Sequence, residues 1–449
     1  MAYRPENAQV PQMSTISKDI SSSSALSVGP RKAGLLAHSD LWIYVAAAAA
    51  MGLKFYIAFH TVGTNDVRSF YLFAGSMYEL GLEWTYALYF GFNHPPLVAW
   101  GLSALYALEV PTLYQHGFTF FFLLRLPGII ADFLVVLILM RLRRELSLPN
   151  WALIVFALSP VSLMVSGFHG NTDGLLVLFL VLAAAMCVRP HPIACGLCLA
   201  LSCQIKIVPL LLFPIFFFFW LARRQPTRFT LPFAAVSLLF WLYPLVKFPA
   251  LVIKNIFAYS SIWGIWGISY WLRLTGWPEF GKITYHDLSR GETLVGTGLK
   301  ILIVACVLVI AWRRRAVSGR GLFESLGYAW LVFFIFSPGI AAQYMIWLAP
   351  FVLALSPSAS VYLLLSSTLF LFVFYNTIAS GLPWFYAVSI NSMVDSWSPW
   401  SNWPWAVLLS MAIVFWRKAV RADPSFRLIG LQSVQENRAV NIGLPGTLE

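Results

Sequence analysis

Apolar residues run through this chain in long blocks separated by short polar stretches. The blocks fall near 41–60, 118–140, 150–166, 174–188, 193–205, 208–222, 229–246, 294–312, 321–337, 343–355, 360–379 and 403–416. Unbroken apolar runs of this kind predict helices that are apolar on every face, as membrane spans are. Several are shorter than the roughly 20 residues that cross the hydrocarbon. The pair 193–205 and 208–222 reads as two short spans or as one broken or tilted hairpin. The pattern therefore predicts an all-α polytopic membrane protein with about 12 transmembrane helices within 39–421. Residues 1–38, with Ser21 to Ser24 in a row, are polar and expected to be a disordered cytoplasmic tail, and 422–449 a polar cytoplasmic tail. The first long apolar run begins near residue 41 without a convincing cleavage site, so no cleavable signal peptide is expected.

Composition supports the same class. The chain is 59% hydrophobic and 11% charged, whereas a soluble domain carries about a quarter charged residues. Its 36 Phe, 19 Trp and 18 Tyr suit spans with aromatic belts. The net charge of +12 raises a nucleic-acid partner, but the basic residues form tight clusters between apolar runs, which membrane topology explains and nucleic-acid binding does not. With the N-terminus inside, the clusters Lys18/Arg31/Lys32, Arg141/Arg143/Arg144, Arg189, Arg223/Arg224/Arg228, Arg313/Arg314/Arg315/Arg320 and Arg417/Lys418/Arg421 all fall on the inner face. The outer face takes Asp66, Glu79, Glu83, Glu109, Asp173, Glu279, Asp287 and Asp395. Lys247, Lys254, Arg273, Lys282 and Arg290 also lie outside, in a loop (247–293) long enough for the rule to weaken. Cys187, Cys195, Cys198, Cys203 and Cys306 lie in or beside apolar runs and read as packing residues. No outer loop has an Asn-x-Ser/Thr sequon, which favours a bacterial plasma membrane, with the endoplasmic reticulum as the alternative.

Polar residues collect in four places. The first is the outer segment 61–117, which opens with Asn65-Asp66-Val67-Arg68 and continues through Glu79, Glu83 and Asn93-His94-Pro95-Pro96-Leu97. Residues 97–108 are expected to form a juxtamembrane helix, and Glu79 and Glu83, four apart, one solvated helix face. The second is the turn Gly167 to Gly174, carrying His169, Asn171, Thr172 and Asp173; it reads equally as a site or as an interfacial turn capped by Thr172 or Asp173. The third is cationic. Arg125 and Asp132, seven apart, share a helix face, and Lys206 sits at the tip between two short runs. Each is read as a functional charge, with snorkelling, or an Arg125–Asp132 ion pair, as the structural alternative. The fourth is Gln343-Tyr344, which also reads as a pair of interfacial anchors. Together they put the unusual polar chemistry on the outer face, where a membrane-embedded anionic lipid would meet a surface acceptor.

In this order, Asp after the first span, Pro-Pro-Leu, Arg and Asp seven apart, His-x-x-x-Asp, Lys-x-x-Pro and a late Gln-Tyr-x-x-Trp, the chain resembles the GT-C superfamily of integral membrane glycosyltransferases. It is most similar to the polyprenol-phosphate-mannose-dependent mannosyltransferases, including the first mannosyltransferase of GPI-anchor synthesis. The likeness covers roughly 41–350 and rests on short motifs in sequence order. It implies Asp66 as catalytic base, Lys206 and Arg125 as contacts to the donor phosphate, and Glu79, His94, His169, Asn171, Asp173, Gln343 and Tyr344 as sugar- or acceptor-binding residues. The implied reaction transfers a hexose such as mannose, with inversion, from a polyprenyl-phosphate-sugar donor to a glycan or glycolipid acceptor. Asp66 is flanked by Asn65 and Val67 instead of forming Asp-x-Asp, so no metal or other cofactor is expected, although a divalent ion is left open. Two rival readings stand beside it: a transporter or lipid flippase, and an inactive relative acting as an assembly partner.

Overall fold

The computed structural model describes residues 38–108, 119–258, 262–284 and 287–422. The expected tails, apart from their innermost residues, Glu109 and the end of the 61–117 segment lie outside the described residues. The described chain is almost wholly helical. Its principal helices are α1 (His38–His60), α2 (Asn65–Leu80), α3 (Leu82–Leu88), α4 (Pro96–Leu108), α5 (Phe120–Arg141), α6 (Asn150–His169), α7 (Asp173–Val188), α8 (Pro192–Ile205), α9 (Val208–Ala222), α10 (Pro226–Lys247), α11 (Arg290–Arg313), α12 (Gly319–Phe336), α13 (Ala342–Leu355), α14 (Pro357–Ile378) and α15 (Asn402–Ala422).

Among the described residues, six helices are long and apolar enough to cross a membrane: α1, α5, α6, α10, α11 and α14. This is half the expected number; α4, α7, α8, α9 and α13 are apolar but only 10–17 residues long. The outer surface fits a lipid solvent. Leu238, Leu239 and Val246 on α10, and Leu294, Ile301 and Val309 on α11, point large apolar side chains out of the protein, where a water-soluble protein would carry charge.

Local sequence sets the ends of these helices. Thr64 caps α2 by accepting from the Asp66 amide, and Thr119 caps α5 by accepting from Phe122. Gly81, at φ +88°, separates α2 from α3, so Glu79 and Glu83 do not share one helix face as the spacing suggested. Gly128 and Gly174 let α5 and α7 cross closely, because a Cβ on Gly174 would meet the Gly128 carbonyl at 2.8 Å.

Four of the basic clusters gather at one end of the bundle. Arg143 pairs with Asp40, Arg189 reaches the Arg141 carbonyl, Arg320 donates to Ser147 and Arg223 to the Val317 carbonyl. At the other end, Gly63–Thr64 pairs in parallel with Tyr386–Ala387, joining the segment after α1 to the one after α14. If the bundle spans a membrane end to end, Glu83→Cys and Asp395→Cys should both react with an impermeant thiol reagent from one side, and Ala316→Cys only from the other. Reaction of all three from the same side would contradict this arrangement.

Candidate functional site

The end opposite the basic clusters holds a cavity of about 510 Å³. The shorter helices create it. Lys206 lies at the tip between α8 and α9, and Gln343 and Tyr344 lie in the first turn of α13, so irregular backbone sits inside the bundle where it lines a cavity. Two π-helical turns also deliver wall residues: Leu163–His169 brings His169, and Ile253–Phe257 brings Lys254 and Asn255. The wall includes Asp66, His94, His169, Asn171, Lys206, Gln343 and Tyr344, seven of the residues singled out from the sequence.

Asp66 stands in the first turn of α2 with its side chain 39% exposed to this space. Its Oδ2 accepts from His169 Nε2 at 3.0 Å and from Asn171 Nδ2 at 3.5 Å. Among the described residues, no hydrogen bond is made to its Oδ1. Burial alone would raise the carboxyl's pKa, but the His169 hydrogen bond and the nearby Lys206 charge outweigh it and hold the carboxyl below its usual value. Asp66 is thus an ionised acceptor with one oxygen held and the other open.

His94 is neutral. Burial first, then the Lys206 charge, bring its pKa down to about 3, against the opposing pull of the Ile205 carbonyl and Asp66. Its Nδ1–H donates to the Ile205 carbonyl at 3.4 Å, which leaves Nε2 as an acceptor.

Lys206 has two of its three N–H groups on Asp173, at 2.9 and 3.1 Å. Trp347 Nε1 donates to the same carboxylate at 2.5 Å. The ammonium also lies 4.8 Å from the Tyr344 ring centre and 5.4 Å from that of Trp347. Asp173 is fully buried behind Lys206 and does not line the cavity; it holds the lysine instead of meeting a ligand. Lys206 is an anchored cavity cation, not a side chain reaching out to the membrane surface.

Two further expectations change. Glu79 is exposed at the end of α2 and is not part of the cavity wall. Arg125 is fully buried and faces protein, not the cavity. Its guanidinium donates to the carbonyls of Ala58, Thr61, Gly167 and Phe168 and to the Thr61 hydroxyl. It is therefore not paired with Asp132. That carboxylate meets Lys54 at 2.6 Å, with Ser162 at 2.5 Å from both. Lys54 was passed over in the sequence, although a lone cation inside an apolar run is itself the signal.

Sequence reasoning also missed Lys254, on the cavity wall 5.2 Å from the Phe90 ring centre, and Tyr375, whose hydroxyl lies 3.0 Å from His169 Nδ1. Tyr375 gave no signal, being one ring in the aromatic run Phe370 to Tyr375. Among the described residues, no group of three or more His, Cys, Asp or Glu is placed to hold a metal. Compared with known proteins, the chain matches no family model and no curated protein.

The Lys54–Asp132 pair generates a test of stability. Lys54→Met strands a largely buried carboxylate and is expected to cost up to about 3 kcal/mol. Lys54→Met/Asp132→Leu should recover most of that in thermal or denaturant unfolding of the detergent-solubilised protein. A double variant as unstable as the single would mean that the pair is not coupled.

Proposed function

We propose that this protein is a membrane glycosyltransferase that moves a hexose from a polyprenyl-phosphate donor to a glycan or glycolipid acceptor. The observation that carries the reading is one cavity with two complementary groups: the Asp66 carboxylate, with one oxygen open, and the Lys206 ammonium. Lipid-phosphate transfer needs this pair. The acceptor oxygen attacks the anomeric carbon as the bond from that carbon to the phosphate oxygen breaks. Asp66 takes the acceptor proton, and the charge growing on the departing phosphate is met by Lys206 and by Lys254, which lines the same cavity. Attack opposite the phosphate inverts the anomeric centre. His94 Nε2, Asn171 and Gln343 offer hydrogen-bonding groups to sugar hydroxyls, and the Tyr344 ring offers a face. The phosphate leaves readily, so no strong acid or bound metal is required.

We further propose that α7, α8, α9, α12, α13 and α15 join the six long helices to make about twelve crossings, with α4 along the surface, the basic end in the cytoplasm of a bacterial plasma membrane and the cavity opening outward at headgroup level. A transporter is the second reading, favoured by the Lys54–Asp132 charge pair inside the bundle. The cavity beside that pair is only about 40 Å³, room for a few waters and not for a solute or a lipid headgroup.

The test is transfer of radiolabel from polyprenyl-phosphate-mannose into membrane glycolipid by the reconstituted protein. Asp66→Asn should lower the rate by at least about 100-fold while leaving donor binding intact, and Glu79→Gln should do little. Because Asp66 is held below its usual pKa, the wild-type rate should stay level through neutral pH and fall only below the ordinary carboxylate range. Lys206→Ala and Lys254→Ala should each raise the donor concentration needed, with Lys206→Arg keeping part of the activity. Normal transfer by Asp66→Asn would remove the assignment of the base.

A further inference from the structure

A chain of three side chains runs from the cavity wall into the protein. Tyr375 comes from α14, His169 from the π-helical end of α6 and Asp66 from the start of α2, positions 66, 169 and 375 being brought together by the fold. Tyr375 is fully buried, and its ring packs against Phe168, Phe374 and Trp384 at centroid distances of 5.6, 5.0 and 5.7 Å. Its hydroxyl oxygen and His169 Nδ1 are 3.0 Å apart, as are His169 Nε2 and Asp66 Oδ2.

The proton positions along this chain follow from what each atom can donate. An ionised carboxylate only accepts, so Nε2 must carry a hydrogen. In the neutral imidazole Nδ1 is then a lone pair, and among the described residues the only donor facing it is the phenol O–H. The opposite tautomer would set the Nε2 lone pair against a carboxylate oxygen. Which ring nitrogen carries the proton is set by the partner of the other.

We propose that Tyr375 is a positioning residue: by donating to Nδ1 it fixes His169 as the Nε2–H form, which keeps Oδ2 of Asp66 occupied and Oδ1 as the oxygen open to the cavity. Tyr375 touches no substrate in this arrangement and acts through His169. Its consequence for sugar transfer rests on the function proposed above; its consequence for Asp66 does not. The charged and titratable groups around Asp66 are His169 from α6, Lys206 from the α8–α9 tip and His94 from the segment before α4, with Asn171 as a neutral donor. Asp173 lies behind Lys206 and is held by it and by Trp347. Of these, His169 alone depends on Tyr375 for its proton position.

The relay predicts a pattern of variants that packing alone would not give. Tyr375→Phe keeps the ring and removes the donor, so the His169 hydrogen bond to Asp66 weakens and the carboxyl titrates at higher pH. His169→Gln supplies a donor amide with no tautomer to fix, so adding Tyr375→Phe to it should change nothing further. The readout is infrared titration of the carboxyl band in lipid nanodiscs, with Asp66→Asn as the blank, which needs no substrate. Wild type should titrate below the ordinary carboxylate range, Tyr375→Phe at least one pH unit higher, a tenfold gain in proton affinity worth about 1.4 kcal/mol, and His169→Gln with and without Tyr375→Phe at the same pH. An Asp66 titration unmoved by Tyr375→Phe, or moved equally in the His169→Gln background, would overturn the relay. A shifted titration in a protein that transfers no sugar would instead leave the relay standing and remove the transferase reading.

Discussion

Backbone carbonyls at the ends of helices have no partner within their own helix, and in a low-dielectric interior each must find one. The Arg125 guanidinium answers that need at the point where the site is built. It gathers the Ala58 and Thr61 carbonyls at the end of α1 and the Gly167 and Phe168 carbonyls in the last turn of α6. Asp66 follows the first group by five residues and His169 follows the second by one. The arginine therefore sets the distance between the carboxylate and the imidazole that holds it. The Thr64 hydroxyl, donating to the His169 carbonyl at 2.9 Å, adds a second tie between the same two segments. Two glycines make room for them. A Cβ on Gly63 would meet the Phe168 carbonyl at 2.6 Å, and one on Gly170 would meet Val67 at 2.3 Å, and both backbones hold positive φ.

Helix length provides the second constraint. α8 and α9 meet at Lys206, inside the bundle, and α13 begins there with Gln343 and Tyr344. A buried ammonium in such a place is costly without a counter-charge. Asp173 supplies it, and the Trp347 N–H fills a further acceptor position on that carboxylate. The result is an anchored cation whose position is set from behind and whose remaining N–H is available to the cavity. The carboxylate on the opposing segment is likewise held at one oxygen and open at the other.

Much of this wall was legible in the sequence because polar residues in an apolar chain are conspicuous. Asp66, His94, His169, Asn171, Lys206, Gln343 and Tyr344 stood out for that reason, and the helical segments followed from the length of the apolar runs. Partnerships were not legible. The seven-residue spacing of Arg125 and Asp132 correctly puts them on one face of α5 but says nothing of what packs against each end of that face; α1 supplies Lys54 to one and carbonyls to the other. Asp173 looked like a ligand-facing carboxylate because its burial depends on α8 and α13 packing over it. Glu79 and Glu83 were joined by spacing, whereas Gly81, visible in the sequence, ends the helix between them. Lys254 was discounted with its long loop, and Tyr375 was indistinct among neighbouring aromatics.

The central claim is that the cavity between Asp66 and Lys206 receives a lipid phosphate. A cryo-electron microscopy structure with bound polyprenyl phosphate tests it most directly. The account predicts a phosphate oxygen within about 3 Å of Lys206 Nζ, with its isoprenoid tail leaving the cavity toward the lipid. A phosphate bound instead beside Lys54 and Asp132, or among Arg141, Arg189 and Arg320 at the opposite end, would contradict it.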